Sequence, residues 1–167
     1  MSDQSMSTTQ FLTFTLAEET FAVSINQIRE VLEFTSLTEI PSTPEFMVGV
    51  INLRGHVVPV VDMRIKFGME QAERTVNTCI IIIEVKINED DSVLLGAMAD
   101  SVNEVMELRK DAIEPAPKIG TGIDTDYILG MGKQGNNFVI LLDTQKVFSM
   151  EEMGVLKSAE RAADQAA

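Results

Sequence analysis

The sequence predicts a mainly β protein built from two similar halves of about five short strands each, with short helices between them and one more at the C-terminus. Three observations carry this. From Val48 to Gly68, the β-branched apolar runs Val48 to Leu53 and His56 to Val61 flank Arg54 and Gly55, which is a hairpin pattern. A second hairpin pattern follows, with Thr78 to Ile87 and Val93 to Ala99 on either side of the turn formers Asn88 to Asp91. The chain also repeats itself. IREVLEF (Ile28 to Phe34) matches VNEVMEL (Val102 to Leu108) at an offset of 74, aligning Glu30 with Glu104 and Val31 with Val105. Val57 to Phe67 matches Phe138 to Phe148 at an offset of 81, aligning Asp62 with Asp143. The seven extra residues fall in the segment before Tyr127, where an insertion between elements costs little. Five short strands per half can close into a small barrel, which removes exposed edges.

Taken in order, residues 1–9 are polar and read as a flexible tail. Gln10 to Leu16 alternates as a half-buried strand, with Leu12, Phe14 and Leu16 on one face. Ala17 to Thr20 turns the chain, and Phe21 to Val23 returns it. Ser24 with Gln27 forms a capping box that opens a short helix carrying Ile25 and Ile28. Val31 to Ile40 is compatible with a strand until Pro41 and Pro44 forbid a central ladder. In the hairpin that follows, Gly55 supplies a positive φ and Arg54 is displayed at the tip. Asp62 caps a helical turn through the N–H groups of Arg64 or Ile65, and Gly68 ends it. Met69 to Asn77 is a polar linker. After the second hairpin, Val102 to Leu108 is a short element, and Arg109 to Asp126, with Pro115, Pro117, Gly120 and Gly122, is a long excursion. Tyr127 to Lys133 and Asn137 to Leu142 make a closing hairpin. Ser149 and Glu152 form a capping box for a C-terminal helix whose Met153, Leu156 and Ala159 face the body.

Composition narrows the function. At 167 residues the chain can bury roughly 70% of its unfolded surface. A net charge of −13, from 26 acidic and 13 basic side chains, repels phosphate and anionic membrane, which leaves proteins as partners. The lone Cys79 lies inside an apolar run, so no disulfide framework or cysteine metal site is available. No apolar run reaches a membrane span, and MSDQSMSTTQ lacks a secretion signal, so the expected location is the cytoplasm.

Gly130, Gly132 and Gly135 match GxGxxG, but a dinucleotide site needs a helix after the glycines and Asn137 to Leu142 reads as a strand. The glycines are read as turn formers, and no cofactor is expected. His56 is the only histidine and belongs to no ligand cluster. Ser and Thr lack an activating base, and Asp90 with Asp91, or Asp124 with Asp126, sit where turns favour Asp. Two charges set among apolar neighbours remain, Glu30 and Arg54. Arg54 reads either as a solvated turn charge or as an interface anchor. The ten methionines are mainly core fillers, although thioethers also suit a protein-binding groove.

With IREVLEF, GVINLRGHVVPVVDMRIKFG, IEPAP and YILGMGKQGNNFVILLDTQKVF in hand, the chain resembles the CheW family of bacterial chemotaxis coupling proteins, from about Gln10 to Met153. NLRG followed by VVPVVDMR is the most specific part. The resemblance implies one domain over 10–153, two intertwined five-stranded SH3-like barrels of approximately 10–74 and 75–148, and a C-terminal helix and tail at 149–167. It implies a scaffold without catalysis that joins the cytoplasmic tips of chemoreceptors to the histidine kinase CheA, without nucleic acid or membrane insertion, and assembles with CheA and further CheW copies into rings. The chain has no room for a kinase or receiver domain, which favours a stand-alone adaptor. Matched by motif, Ile28, Glu30, Gly49, Arg54 and Val105 fall at positions tied to receptor coupling, and the receptor's helical hairpin would lie in the groove between the barrels. The rival from another class is a small barrel that binds oligosaccharide or nucleic acid.

Overall fold

The computed structural model describes residues 8–40, 44–86, 88–115 and 125–148. Ten strands run in chain order: β1 (Thr8–Leu16), β2 (Glu19–Ser24), β3 (Ile28–Glu33), β4 (Met47–Leu53), β5 (His56–Asp62), β6 (Cys79–Lys86), β7 (Ser92–Ala99), β8 (Ser101–Arg109), β9 (Ile128–Gln134) and β10 (Asn137–Leu142). Helical turns α1 (Met63–Lys66) and α2 (Thr144–Val147) follow β5 and β10. The strands form two five-stranded sheets, ordered β8-β1-β2-β10-β9 and β3-β6-β7-β5-β4.

Adding five to each strand number, and returning to β1 after β10, converts the first order into the second. The internal repeat is therefore written into the topology. Each repeat places its first two strands in one sheet and its last three in the other, so both sheets draw strands from both sides of residue 74. Four ladders join the repeats: β10 with β2 and β5 with β7 are parallel, β1 with β8 and β3 with β6 antiparallel, and the ladders within each repeat are antiparallel.

Each sheet curls until its two edges nearly meet. The segment after β3 pairs with β4 through Thr38 and Val50, whose N–H groups donate to each other's carbonyls at 3.0 and 2.8 Å. The segment after β8 pairs with β9 through Glu114 and Met131, at 2.9 and 2.7 Å. Each SH3-like unit is thus a five-stranded sheet whose edges are linked by one isolated bridge, and the full barrel closure expected from sequence is not found among the described residues. Where each bridge forms, a glycine sits next door: a Cβ on Gly49 would lie 2.7 Å from the Thr38 carbonyl, and one on Gly130 would lie 3.0 Å from that of Glu114. The offset of 81 aligns those two glycines.

Alternation along the strands divides the core. Leu12, Phe14 and Leu16 of β1 join Ile81, Ile83 and Leu95 in a cluster shared by both sheets. Phe11 belongs to a cluster confined to the first sheet with Met106 and Leu141, and Ile51, Ile80 and Ile82 form its counterpart in the second. Burying such side chains contributes roughly 1.5–3 kcal/mol each before conformational entropy is charged against it.

Several expectations need correction. Ser24 makes no cap bond, and the turn at Ile25–Gln27 is 3-10, because the Gln27 amide instead reaches Thr144 Oγ1 at 2.7 Å. Ile28 opens β3 rather than belonging to a helix. The strand expected from Gln10 starts at Thr8, which pairs with Arg109. Among the GxGxxG glycines only Gly135, at φ 62°, makes a turn; Gly130 and Gly132 lie within β9, where a Cβ would press on Ile113 and Leu108. The C-terminal helix expected from Ser149, with Met153, Leu156 and Ala159, lies outside the described residues.

Candidate functional site

Glu30 and Arg54 meet across the seam of the second sheet. Glu30 lies on edge strand β3, and Arg54 sits in the turn between β4 and β5, at the opposite edge. A register shift between Ile28 and Glu30 interrupts the β3–β6 ladder, and such a bulge re-aims the side chains around it. The β4–β5 turn uses a positive φ at both central residues, 50° at Arg54 and 88° at Gly55, the backbone that matches strand twist in a two-residue hairpin. Only Gly55 adopts that conformation without steric cost. The Asn52 carboxamide oxygen accepts the Gly55 N–H at 2.8 Å and helps hold the turn.

The Arg54 guanidinium donates to both Glu30 oxygens, Nη1 to Oε1 at 3.3 Å and Nη2 to Oε2 more closely. These hydrogen bonds hold the Glu30 carboxyl below the ordinary carboxylate range, and Glu30 in turn raises Arg54. Solvent screens the pair, so it contributes little to stability. The Arg54 side chain remains 71% exposed, and its fork can meet an acceptor on another molecule.

The first sheet carries a matching seam. Glu104 on β8 stands where Glu30 stands on β3, and Gln134, at the end of β9, donates to its Oε1 at 2.5 Å. Thr13 fixes the Glu104 backbone: its hydroxyl donates to the Glu104 carbonyl at 2.8 Å and accepts the Glu104 N–H at 3.1 Å, where the β1–β8 register shifts. Val31 and Val105, one residue beyond the two glutamates, are 42% and 48% exposed.

Of the five residues singled out from sequence, the structure brings only Glu30 and Arg54 together. Ile28 is half-buried against the shared core, Val105 belongs to the other sheet, and Gly49 is buried under the Leu37–Thr38 segment rather than displayed. Sequence reasoning missed Gln134, because the offset that aligns the hairpins sets Arg54 against Gly135, so the donor is displaced by one residue. The repeat alone pointed to Glu104. Among the described residues, no group of three or more His, Cys, Asp or Glu side chains could hold a metal ion, and no helix is long and apolar enough to cross a membrane.

The family model of the CheW-like domain matches residues 10–152. The chain is 33% identical over 152 residues to the chemotaxis protein CheW of Klebsiella aerogenes, covering 91% of this chain and 89% of that protein. It is 32% identical over 143 residues to the chemotaxis protein CheW of Rhizobium meliloti, covering 86% and 89%. Among solved structures, the scaffolding protein TtCheW from Thermoanaerobacter tengcongensis superposes with a TM-score of 0.76 at 33% identity, covering 87% of this chain and 91% of that one.

Proposed function

The chain belongs to the CheW-like domain family, and from that premise we propose that it is a non-catalytic chemotaxis adaptor coupling transmembrane chemoreceptors to the histidine kinase CheA. The observation that carries this reading is the seam built twice: an acidic side chain on an edge strand, bonded to a donor at the facing hairpin, beside an exposed valine. Such sites suit recognition better than stability. An exposed ion pair is nearly neutral for folding, whereas an arginine on a rigid turn is a frequent interface anchor.

In this reading Glu30 and Arg54 recognise a partner directly, Ile28 and Val105 offer apolar surface, and Gly49 acts by letting the chain cross closely above β4. The receptor's helical hairpin lies between the two units, and their ends meet the corresponding ends of the kinase's regulatory domain in rings at the inner face of the membrane. The oligosaccharide or nucleic-acid reading is not retained, since the relatives are chemotaxis proteins and a net charge of −13 repels phosphate.

Co-sedimentation with receptor-bearing membranes and the kinase tests the proposal. Kinase recruitment should depend on this chain, and Arg54→Glu, which sets two carboxylates face to face, should reduce it several-fold while leaving the far-UV circular dichroism unchanged. Recruitment that ignores the chain overturns the adaptor reading; a melted spectrum in the variant assigns Arg54 a structural role instead.

A further inference from the structure

Among the described residues the chain passes between the two sheets at only two places. Residues 24–28 carry it from β2 to β3, and Asp100 alone carries it from β7, which ends at Ala99, to β8, which begins at Ser101. The repeat maps one crossing onto the other and α1 onto α2.

Asp100 is tied on both sides. Toward the first sheet, its N–H donates to the Thr15 carbonyl at 3.1 Å, and its Oδ2 accepts the Ala17 N–H at 2.9 Å. Ala17 and Glu18 both have positive φ, 50° and 73°, in a turn without glycine, a backbone that persists only when its surroundings dictate it. Toward the second sheet, Arg64 of α1 grips the same carboxylate with two prongs, Nε to Oδ1 at 2.8 Å and Nη2 to Oδ2 at 2.5 Å. Its third nitrogen holds the carbonyl of Glu70 in the linker at 3.2 Å. Arg64 is 19% exposed and Asp100 30%, so solvent screens this pair less than the one at the seam. The other crossing has a lighter counterpart, the neutral bond from Gln27 to Thr144 of α2.

We propose that Arg64 and Asp100 are a positioning pair that fixes the angle between the two sheets, with Gln27 and Thr144 as a weaker second tie. The shared core draws the sheets together, but apolar attraction has no direction. A bidentate guanidinium–carboxylate contact does, and this one sits where the chain crosses. For its biological consequence the inference rests on the adaptor reading, since a scaffold must present both units at a set angle.

Spin labels on introduced cysteines at Lys86 of β6 and Lys133 of β9 report the distance between the sheets, and labels at Glu33 and Lys86 report one within the second sheet. Cys79 is buried, its thiol pushed up to about 11 chiefly by burial, so the labels go to the introduced sites. In Arg64→Ala and Asp100→Ala the between-sheet distribution should broaden and the within-sheet one stay as in the parent. Arg64→Lys, able to pair through one nitrogen, should restore part of the sharpness, and Gln27→Ala should broaden the distribution less. An unchanged between-sheet width in a folded variant, or equal broadening of both distances, overturns the proposal. Should Asp100→Ala not fold, Asp100→Asn keeps an oxygen for the Ala17 N–H and carries the same reading. These measurements use the chain alone, so their failure is distinct from a failure to recruit the kinase.

Discussion

Asp62 is 2% exposed and caps α1, its Oδ1 accepting the N–H groups of Arg64 at 2.9 Å and Ile65 at 3.5 Å. Desolvation is the larger effect there and pushes its pKa above 3.8 despite the cap. Asp100, close by, moves the other way, because hydrogen bonds from Arg64 hold it below 3.8 against partial burial. The two therefore respond to acid with opposite sign. For Asp100, the pairing stabilises the fold above the unfolded pKa and is lost as pH falls through the lower folded value. For Asp62, the ionised form is disfavoured in the fold, and acid relieves that as pH falls through the raised value. Asp100→Asn should thus lose about 1 to 2 kcal/mol at pH 7 and show a shallower decline below pH ~4. Asp62→Asn, which keeps an oxygen for the cap and carries no buried charge, should be at least as stable as the parent at pH 7 and lose that advantage in acid, where the parent's Asp62 is neutral too. Urea midpoints at neutral and acidic pH check both. The cap was legible because it is local; the partnership of Arg64 with Asp100, 36 residues away, has no sequence signature.

At the scale of single elements, three glycines should rank by what a methyl group meets. Gly49 combines φ 155° with the backbone of the crossing segment, which cannot yield, so Gly49→Ala should cost about 3 kcal/mol or more. Gly130 faces the γ2 methyl of Ile113 as well as the Glu114 carbonyl, and the methyl can move only with a change of the Ile113 rotamer, for a cost of about 2 kcal/mol. Gly55 has φ 88° and open space around it, so only the conformational penalty of about 1 kcal/mol applies. Thermal unfolding gives the order. If Gly49 instead acted by touching a partner, the alanine variant would bind poorly yet unfold like the parent. Hairpins were readable because alternation and turn residues are local signals: β4–β5, β6–β7 and β9–β10 fall where the pattern put them. The Ser24 capping box was not, because the Gln27 side chain has a better partner 117 residues away. Positive φ at Ala17, Glu18 and Arg54 was equally hidden, since residue type gives no warning there.

Across the whole molecule, the repeat was visible in two short matches, but the exchange of strands between the sheets was not. Glu30 and Glu104 aligned by sequence and do occupy equivalent seams, whereas the pairing of Val105 with Leu12 in β1, from the other repeat, follows only from the three-dimensional path. That exchange has a consequence for folding. A fragment 1–74 holds β1 and β2 without β8 or β10, and β3 without the β6 that pairs it, while 75–167 lacks the complementary set. Leu12, Phe14 and Phe21 from the first fragment pack with Ile81, Ile83 and Leu95 from the second in the shared core, so each fragment alone exposes its half to water. Neither fragment should show a cooperative thermal transition, and mixing them should restore one, with amide protection returning at Ile81 and Ala97 of β6 and β7. The restored species should unfold at a midpoint that rises with concentration, because its cohesion has become bimolecular. A cooperative transition in either fragment alone would mean that one repeat's own contacts suffice, and that the exchange of strands is dispensable for folding.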